Sequence, residues 1–381
     1  MSVLWKGLSK RPLWEAGMRT GLKFVASAIL LSTISGVAFA DDIVASAQHD
    51  LVIYAGPQNG WHGPTSAPKP IAGKKIAFIS NDESNDANHA WGVAITEAGR
   101  KIGWDVTVID GKATPVGWNT AFNQAIALKV DGIITSADAK SLKDAIAEAE
   151  ARNIPIVGIH AAALPGPDKE LGLFTNIQED PRDIGKAQAD WIIADSNGHA
   201  RVVVTSHNEF AIAETKSRAV VERLKACAGC KLLDYVNSPI AEVAQRQPQL
   251  VLSWVQRYGT PLYVTAVADY TLDFQVPALR GAMIDHSAVK LIGADGQRSA
   301  YERIRSGQYQ AVTVSEPTEM QAYQAIDELN RALHNMPPSG FIQAPYLVTP
   351  QNVNAEGGDK DAFAPSNDYK KHYLEIWGIE P

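Results

Sequence analysis

The sequence predicts an α/β protein built as two doubly wound parallel-sheet lobes. Three observations carry the prediction. From Lys75 onward, short apolar runs alternate with amphipathic stretches of helical period. The same alternation restarts beyond a helix near Gly185–Ala194. The 381 residues supply chain for two domains of ordinary size, and 45% hydrophobic with 20% charged residues is a balance that builds ordinary cores.

The elements follow in order. Lys75–Ser80 reads as a buried strand, and Trp91, Ala94, Ile95, Ala98 and Ile102 recur at helical spacing up to Gly103. Asp105–Asp110 is the second strand, and Trp118, Ala121, Phe122, Ala125 and Ile126 line the next helix. Gly132–Thr135 is the third strand, Ser141 is expected to cap a helix carrying Leu142, Ala145, Ile146 and Ala149, and Ile154–Ile159 is the fourth strand. In the second series the strands are Arg201–Thr205, Leu232–Val236, Leu262–Ala268, Lys290–Ala294 and Ala311–Val314, with a last helix over about Met320–Leu333. Strand–helix alternation means parallel sheets with helices on both faces, and ligands in such sheets sit at the carboxyl ends of the strands.

The first 40 residues read as a cleavable signal peptide. Arg19 and Lys23 precede an apolar run from Phe24 to Ile34, and Ala38-Phe39-Ala40 matches the small-x-small cleavage pattern, so the mature chain is expected to open at Asp41. The run is about a dozen residues, short of the ~20 of a spanning helix. Either Met1 or Met18 serves as a start for such a signal. Residues 41–73, rich in Pro, Gly and Ala, show no clear period and read as an N-terminal arm, packed as a surface loop or left as a tail. The only cysteines, Cys227 and Cys230, are expected to form a short disulfide in an oxidising compartment, two reduced thiols being the alternative. The net charge of −7 is spread along the chain without a basic block, which disfavours nucleic acid as a partner.

Polar residues recur where strands end. The loop Asn81-Asp82-Glu83-Ser84-Asn85-Asp86-Ala87-Asn88 follows the first strand, and His160 follows the fourth. Later strand ends bring Asn208-Glu209-Phe210, Asp269-Tyr270, Asp295-Gly296 and Ser315-Glu316, and Arg218 lies on the helix after Thr205. Asn, Asp and Ser also cap helices and His160 also suits a satisfied polar position, so the recurrence carries more than any member. The chain shows no G-x-G-x-x-G after a strand, no P-loop, no H-E-x-x-H and no G-x-S-x-G. These absences point to no cofactor or metal and lower the weight of an enzyme, leaving an exported enzyme with His160 and a nearby carboxylate as a less favoured reading.

In this order, Gly92-Val93 to Gly103-Trp104, Val130-Asp131-Gly132-Ile133-Ile134, Asn153-Ile154-Pro155-Ile156-Val157 and Ile292-Gly293-Ala294-Asp295-Gly296 resemble the type I periplasmic binding proteins, the family of the ribose- and galactose-binding proteins. The resemblance implies three hinge crossovers, with lobe 1 at 74–179 plus 317–344 and lobe 2 at 180–316 plus 345–381. It implies a ligand site at Asn81, Asn85, His160, Arg218, Asp269 and Asp295, with Ser315 or Glu316 at the hinge, Arg218 reaching the ligand and Asp295 accepting from its hydroxyls; Asp82 and Asn88 of the loop after the first strand are expected to join them. It further implies a monomer that gives a small polar solute, most simply a sugar, to the membrane permease of an ABC importer; a carrier for a chemotaxis receptor would look the same. His160-Ala161 replaces the Asp-Arg pair common in sugar binders, and Ala87-Asn88 stands where stacking aromatics are expected. With Asp82, Asp269, Asp295 and Glu316 facing only Arg218, the expected pocket is acidic and a polyol or cationic solute stays open.

Overall fold

The computed structural model describes residues 31–380. Arg19, Lys23 and most of the expected signal segment lie outside the described residues. The first helix, α1 (Leu31–Tyr54), runs through the expected cleavage point after Ala40. No described helix is long and apolar enough to cross a membrane. Past that point α1 is docked rather than loose. Val44 and Ala47 are buried in the core of the second lobe, with Ile43, Leu51 and Tyr54 half-buried beside them. This corrects the expectation of an aperiodic arm from residue 41. Positions 44, 47, 51 and 54 share one helical face, a stripe too short and too diluted by Ala, Ser and His to stand out in the sequence.

The chain then builds β1 (Lys75–Ser80), α2 (Asp86–Lys101), β2 (Asp105–Asp110), α3 (Pro115–Ala127), β3 (Gly132–Thr135), α4 (Lys143–Ala151), β4 (Ile156–Ile159), β5 (Gly166–Asp168) and β6 (Leu173–Ile177). These strands form one sheet in the order β2-β1-β3-β4-β6-β5, parallel except at β5. Asp138, not Ser141, supplies the cap ahead of α4, its carboxylate accepting from Ser141 N. The second lobe follows with α5 (Pro181–Asp195), β7 (Arg201–Ser206), α6 (Ala211–Lys225), β8 (Lys231–Asn237), α7 (Val243–Tyr258), β9 (Leu262–Ala266), α8 (Asp269–Gly281), β10 (Val289–Asp295), α9 (Arg298–Arg305) and β11 (Gln310–Ser315). Then come α10 (Thr318–Leu333), β12 (Tyr346–Val348) and α11 (Tyr369–Trp377). The second sheet has the order β12-β11-β10-β9-β7-β8, with only β12 antiparallel. The winding repeats: β1 sits between β2 and β3, and β7 between β8 and β9, so each sheet has its topological switch point beside its first strand. The edge strands β5 and β12 are three residues each, too short to announce themselves by period.

Four apolar layers hold the sheets. Helices α2, α10 and α11 cover one face of the first sheet, and α3 with α4 the other. Helices α1, α5 and α6 cover one face of the second, and α7 with α8 the other. The chain passes between lobes after β6, after β11 and after α10. It also passes there in the arm from α1 to β1, and again from β12 to α11. The segment 345–381, expected wholly in lobe 2, therefore divides. β12 joins the second sheet, while Tyr373 and Trp377 of α11 are fully buried in lobe 1. Hydrophobicity explains the return. Trp377 stacks on Tyr323 at 5.9 Å and donates its indole N–H to Asp327 at 2.9 Å. Cys227 and Cys230 are disulfide-bonded, with Cα atoms 5.3 Å apart.

Because α11 closes the lobe 1 core, Trp377→Ala is expected to lower the unfolding free energy by about 3–5 kcal/mol, the cost of truncating a buried aromatic. Urea unfolding of the variant beside wild type measures it; a loss within error would mean that α11 is a dispensable tail.

Candidate functional site

The carboxyl ends of both sheets face one cleft of about 120 Å³, lined by residues of both lobes. From lobe 1, the turn after β1 places Asn81 and Asn85. Asn85 caps α2, accepting from Ala87 N at 3.0 Å and Asn88 N at 3.2 Å. Asn88, buried in the first turn of α2, accepts from Ser136 Oγ at 2.5 Å, and Ser136 Oγ in turn accepts from Asn81 N at 2.8 Å. This chain ties the ends of β1 and β3 to α2. His160 follows β4 with φ of 56°, a left-handed turn that histidine adopts more readily than most residues. Lobe 2 contributes His207, Phe210 and Lys216 after β7, Val267, Ala268 and Tyr270 after β9, and Asp295 and Gln297 after β10. Glu316 and Thr318 come from the segment joining β11 to α10.

The cleft is organised around one buried ammonium. Lys216 Nζ donates to Asp295 Oδ1 at 2.8 Å and to Glu316 Oε1 at 3.2 Å. The other oxygen of Glu316 accepts from Gln321 Nε2 at 3.1 Å and lies against His160 Nε2. Gln321 is oriented by the indole N–H of Trp91 at 2.9 Å, and Trp91 packs edge-on to His160 at 4.9 Å. Burial alone would raise the Glu316 carboxyl, but the charges of His160 and Lys216 hold it well below the usual range. Burial likewise works against the Lys216 charge, and Asp295 and Glu316 outweigh it, so the ammonium is held above its ordinary value. His207 is buried and pulled below its ordinary value by that burial, with one ring nitrogen against Ser238 O and the other against Thr271 Oγ1.

Six of the ten expected site residues line this cleft: Asn81, Asn85, Asn88, His160, Asp295 and Glu316. Four do not. Asp82 turns onto its own loop, accepting from Ser84 N at 3.0 Å and Ser84 Oγ at 2.7 Å, and faces a side recess. Arg218 is exposed on the outer face of α6, paired with Glu214. The buried face of α6 runs through Ala213, Lys216, Ser217, Val220 and Leu224, so helical phase brings Lys216 inward and turns Arg218 out. Asp269 is fully buried behind the cleft, accepting from Thr313 Oγ1, Gln310 Nε2, Gly296 N and Gln297 N. Burial pushes its carboxyl up to about 7 against the pull of Arg303 and these side-chain donors. It shapes the turn that carries Asp295 and Gln297. Ser315 is buried and accepts from Tyr301 Oη at 3.2 Å.

The expected acidic pocket is thereby corrected. Asp269 and Asp82 are absent from the cleft lining, and Lys216 and His160 stand against Asp295 and Glu316. Sequence reasoning missed Lys216, Ser136, His207, Gln297 and Thr318 as lining residues; only Lys216 left a readable signal, in the phase of its helix. Trp91, read as core, is both: it is 5% exposed and its ring edges the cleft.

A family model described as a periplasmic binding protein domain matches residues 76–335. No curated protein matches the chain. Several solved structures share the fold. One is the binding component of the arabinose ABC transporter from Shewanella sp. ANA-3, bound to arabinofuranose. It is 16% identical with a TM-score of 0.66, over 75% of this chain and 95% of that one. The Caulobacter myo-inositol binding protein is 19% identical with a TM-score of 0.65, over 75% and 97%. An ABC transporter solute binding protein from Agrobacterium vitis with bound allitol is 18% identical with a TM-score of 0.65, over 74% and 97%.

Removing the ammonium strands two carboxylates, one fully buried. Lys216→Met is expected to destabilise the fold by about 3–5 kcal/mol, the cost of breaking a buried pair from one side, whereas Arg218→Ala leaves the urea midpoint where it was. Equal effects of the two changes would reject the assignment of Lys216 as the buried partner.

Proposed function

The chain belongs to the periplasmic binding proteins, and on that premise we propose that it is the capture subunit of an ABC-type importer, closing its two lobes on one neutral, polyhydroxylated ring. The cleft's charge balance carries the reading. Lys216 is committed to Asp295 and Glu316, and His160 lies against Glu316, so among the described residues of the lining no free cation waits for an anionic solute. What remains is a lining of amides, Ser136 and Thr318 beside Trp91, Phe210 and Tyr270. Hydroxyls both donate and accept, which amides and carboxylates match, while ring C–H faces suit aromatic walls. The cavity, about 120 Å³, is close to the ~150 Å³ that takes a single benzene ring, which fits one sugar or cyclitol ring. Arabinofuranose in the Shewanella protein and myo-inositol in the Caulobacter protein are of that class. The protein works as a monomer without chemistry on its ligand, exported by a signal peptide cut after Ala40 and docking on a membrane permease.

A thermal-shift screen of the periplasmic protein tests the ligand class, with L-arabinose, D-allose, myo-inositol and allitol against spermidine and gluconate. At 100 times its dissociation constant a true ligand adds about 2.7 kcal/mol. Stabilisation by spermidine or gluconate and by none of the neutral compounds would reject the reading, as would conversion of the ligand, followed by NMR after long incubation. N-terminal sequencing of the same protein is expected to begin at Asp41; retention of residues 31–40 would remove the export assignment.

A further inference from the structure

We propose that Glu179 is a positioning residue at the hinge, and that the lobes close only while its carboxyl carries a proton. The inference rests on the two-lobe capture reading above but concerns a group outside the cleft lining. Glu179 lies in the segment that leaves β6 of lobe 1 and enters α5 of lobe 2. It is fully buried, and neither carboxyl oxygen has a hydrogen-bond partner. An ionised carboxylate buried without a protein donor is costly, whereas a neutral one is tolerable.

Its charged surroundings make ionisation worse. Glu316 faces it from the β11–α10 segment, Asp295 from the end of β10 and Asp183 from α5, while the Lys216 ammonium of α6 opposes them. That cation is already bonded to Asp295 and Glu316, and His160 is engaged with Glu316 from the lobe 1 side. Ionising Glu179 would set three carboxylates around one ammonium. Burial first, then Glu316, with Lys216 opposing, holds the Glu179 carboxyl well above the ordinary glutamate range.

The lobes touch in this structure, Trp118 of lobe 1 lying 6.2 Å from Phe210 of lobe 2, and this contact is taken as that of the closed form. Opening bends the segments that carry Glu179 and Glu316, admits water and separates the two carboxyls. The open form thus has the more ordinary carboxyl, and the closed form binds the proton more tightly. For a group whose closed-state value is raised, the stabilisation of closure is complete below the open-state value and is lost as pH rises through the closed-state value. A ligand held by the closed form is then bound up to about tenfold more weakly per pH unit above that value, for one linked proton.

The test needs no ligand, so its failure is separate from a failure to find the solute. Small-angle scattering of the ligand-free protein from pH 5 to 9 is expected to show the radius of gyration rising with pH in wild type, and staying at its low-pH value in Glu179→Gln, which carries a permanently neutral isostere. Titration of His160 or any other group moves both proteins alike. Infrared spectroscopy is expected to show in wild type a protonated carboxyl band, beyond that of buried Asp269, which is missing from Glu179→Gln and fades over the pH range of the opening; Glu179→Met takes the place of the Gln variant should that one fail to fold. A pH-independent radius in wild type, the same rise in both proteins, or the absence of that band at pH 5 overturns the proposal.

Discussion

The contact on which the cleft depends is Lys216 between Asp295 and Glu316. It joins α6, the end of β10 and the β11–α10 segment, three parts of the chain with no local reason to meet. A buried ammonium is tolerable only where carboxylates surround it, and buried carboxylates only where cations and amides do. Each group licenses the next: Lys216 allows Glu316, Glu316 anchors His160 and Gln321, and Gln321 sets Trp91. The polar wall is thereby fixed before a ligand arrives, which limits the ordering cost of binding.

Outside the cleft the same logic ties the chain's ends across the hinge. Lys186 of α5 pairs with Asp50 of α1 and, at 2.9 Å, with buried Asp190, which also takes Arg223. Burial opposes the Lys186 charge, but Asp50 and Asp190 prevail and push it up to about 12. The arm then leaves lobe 2 and reaches lobe 1, where Trp61 stacks on His372 at 4.8 Å and Asn330 Nδ2 donates to Pro68 O at 2.7 Å. On the way Gln58 N donates to Glu356 of the C-terminal loop at 3.1 Å. Any hinge motion must therefore carry the arm and the C-terminal loop with it.

Local pattern made the central strands legible. Runs such as Lys75-Ile76-Ala77-Phe78-Ile79-Ser80 are buried on both faces and have no other stable place, so composition alone identifies them. The edge strands β5 and β12, and the docked half of α1, were illegible because their order comes from partners distant in the chain rather than from their own period. In the site, Asn85 was readable because capping is local, and Asp295 because it ends a strand. Asp269 also ends a strand series, yet it turned inward to four donors that no local pattern reveals.

By itself the sequence determined the α/β class, the doubled series of elements, the family resemblance and the strand ends where polar residues gather. These follow from hydrophobic period and strand–helix alternation, which act over a few residues. Only the tertiary structure decided which polar residues share the cleft, that Lys216 and not Arg218 faces it, and that α11 returns to lobe 1. It also decided that Glu179 is left without a partner. Those outcomes depend on burial and charge pairing between groups as far apart as Lys216 and Glu316, and a buried charge is placed by the partners that can compensate it rather than by its neighbours in the chain.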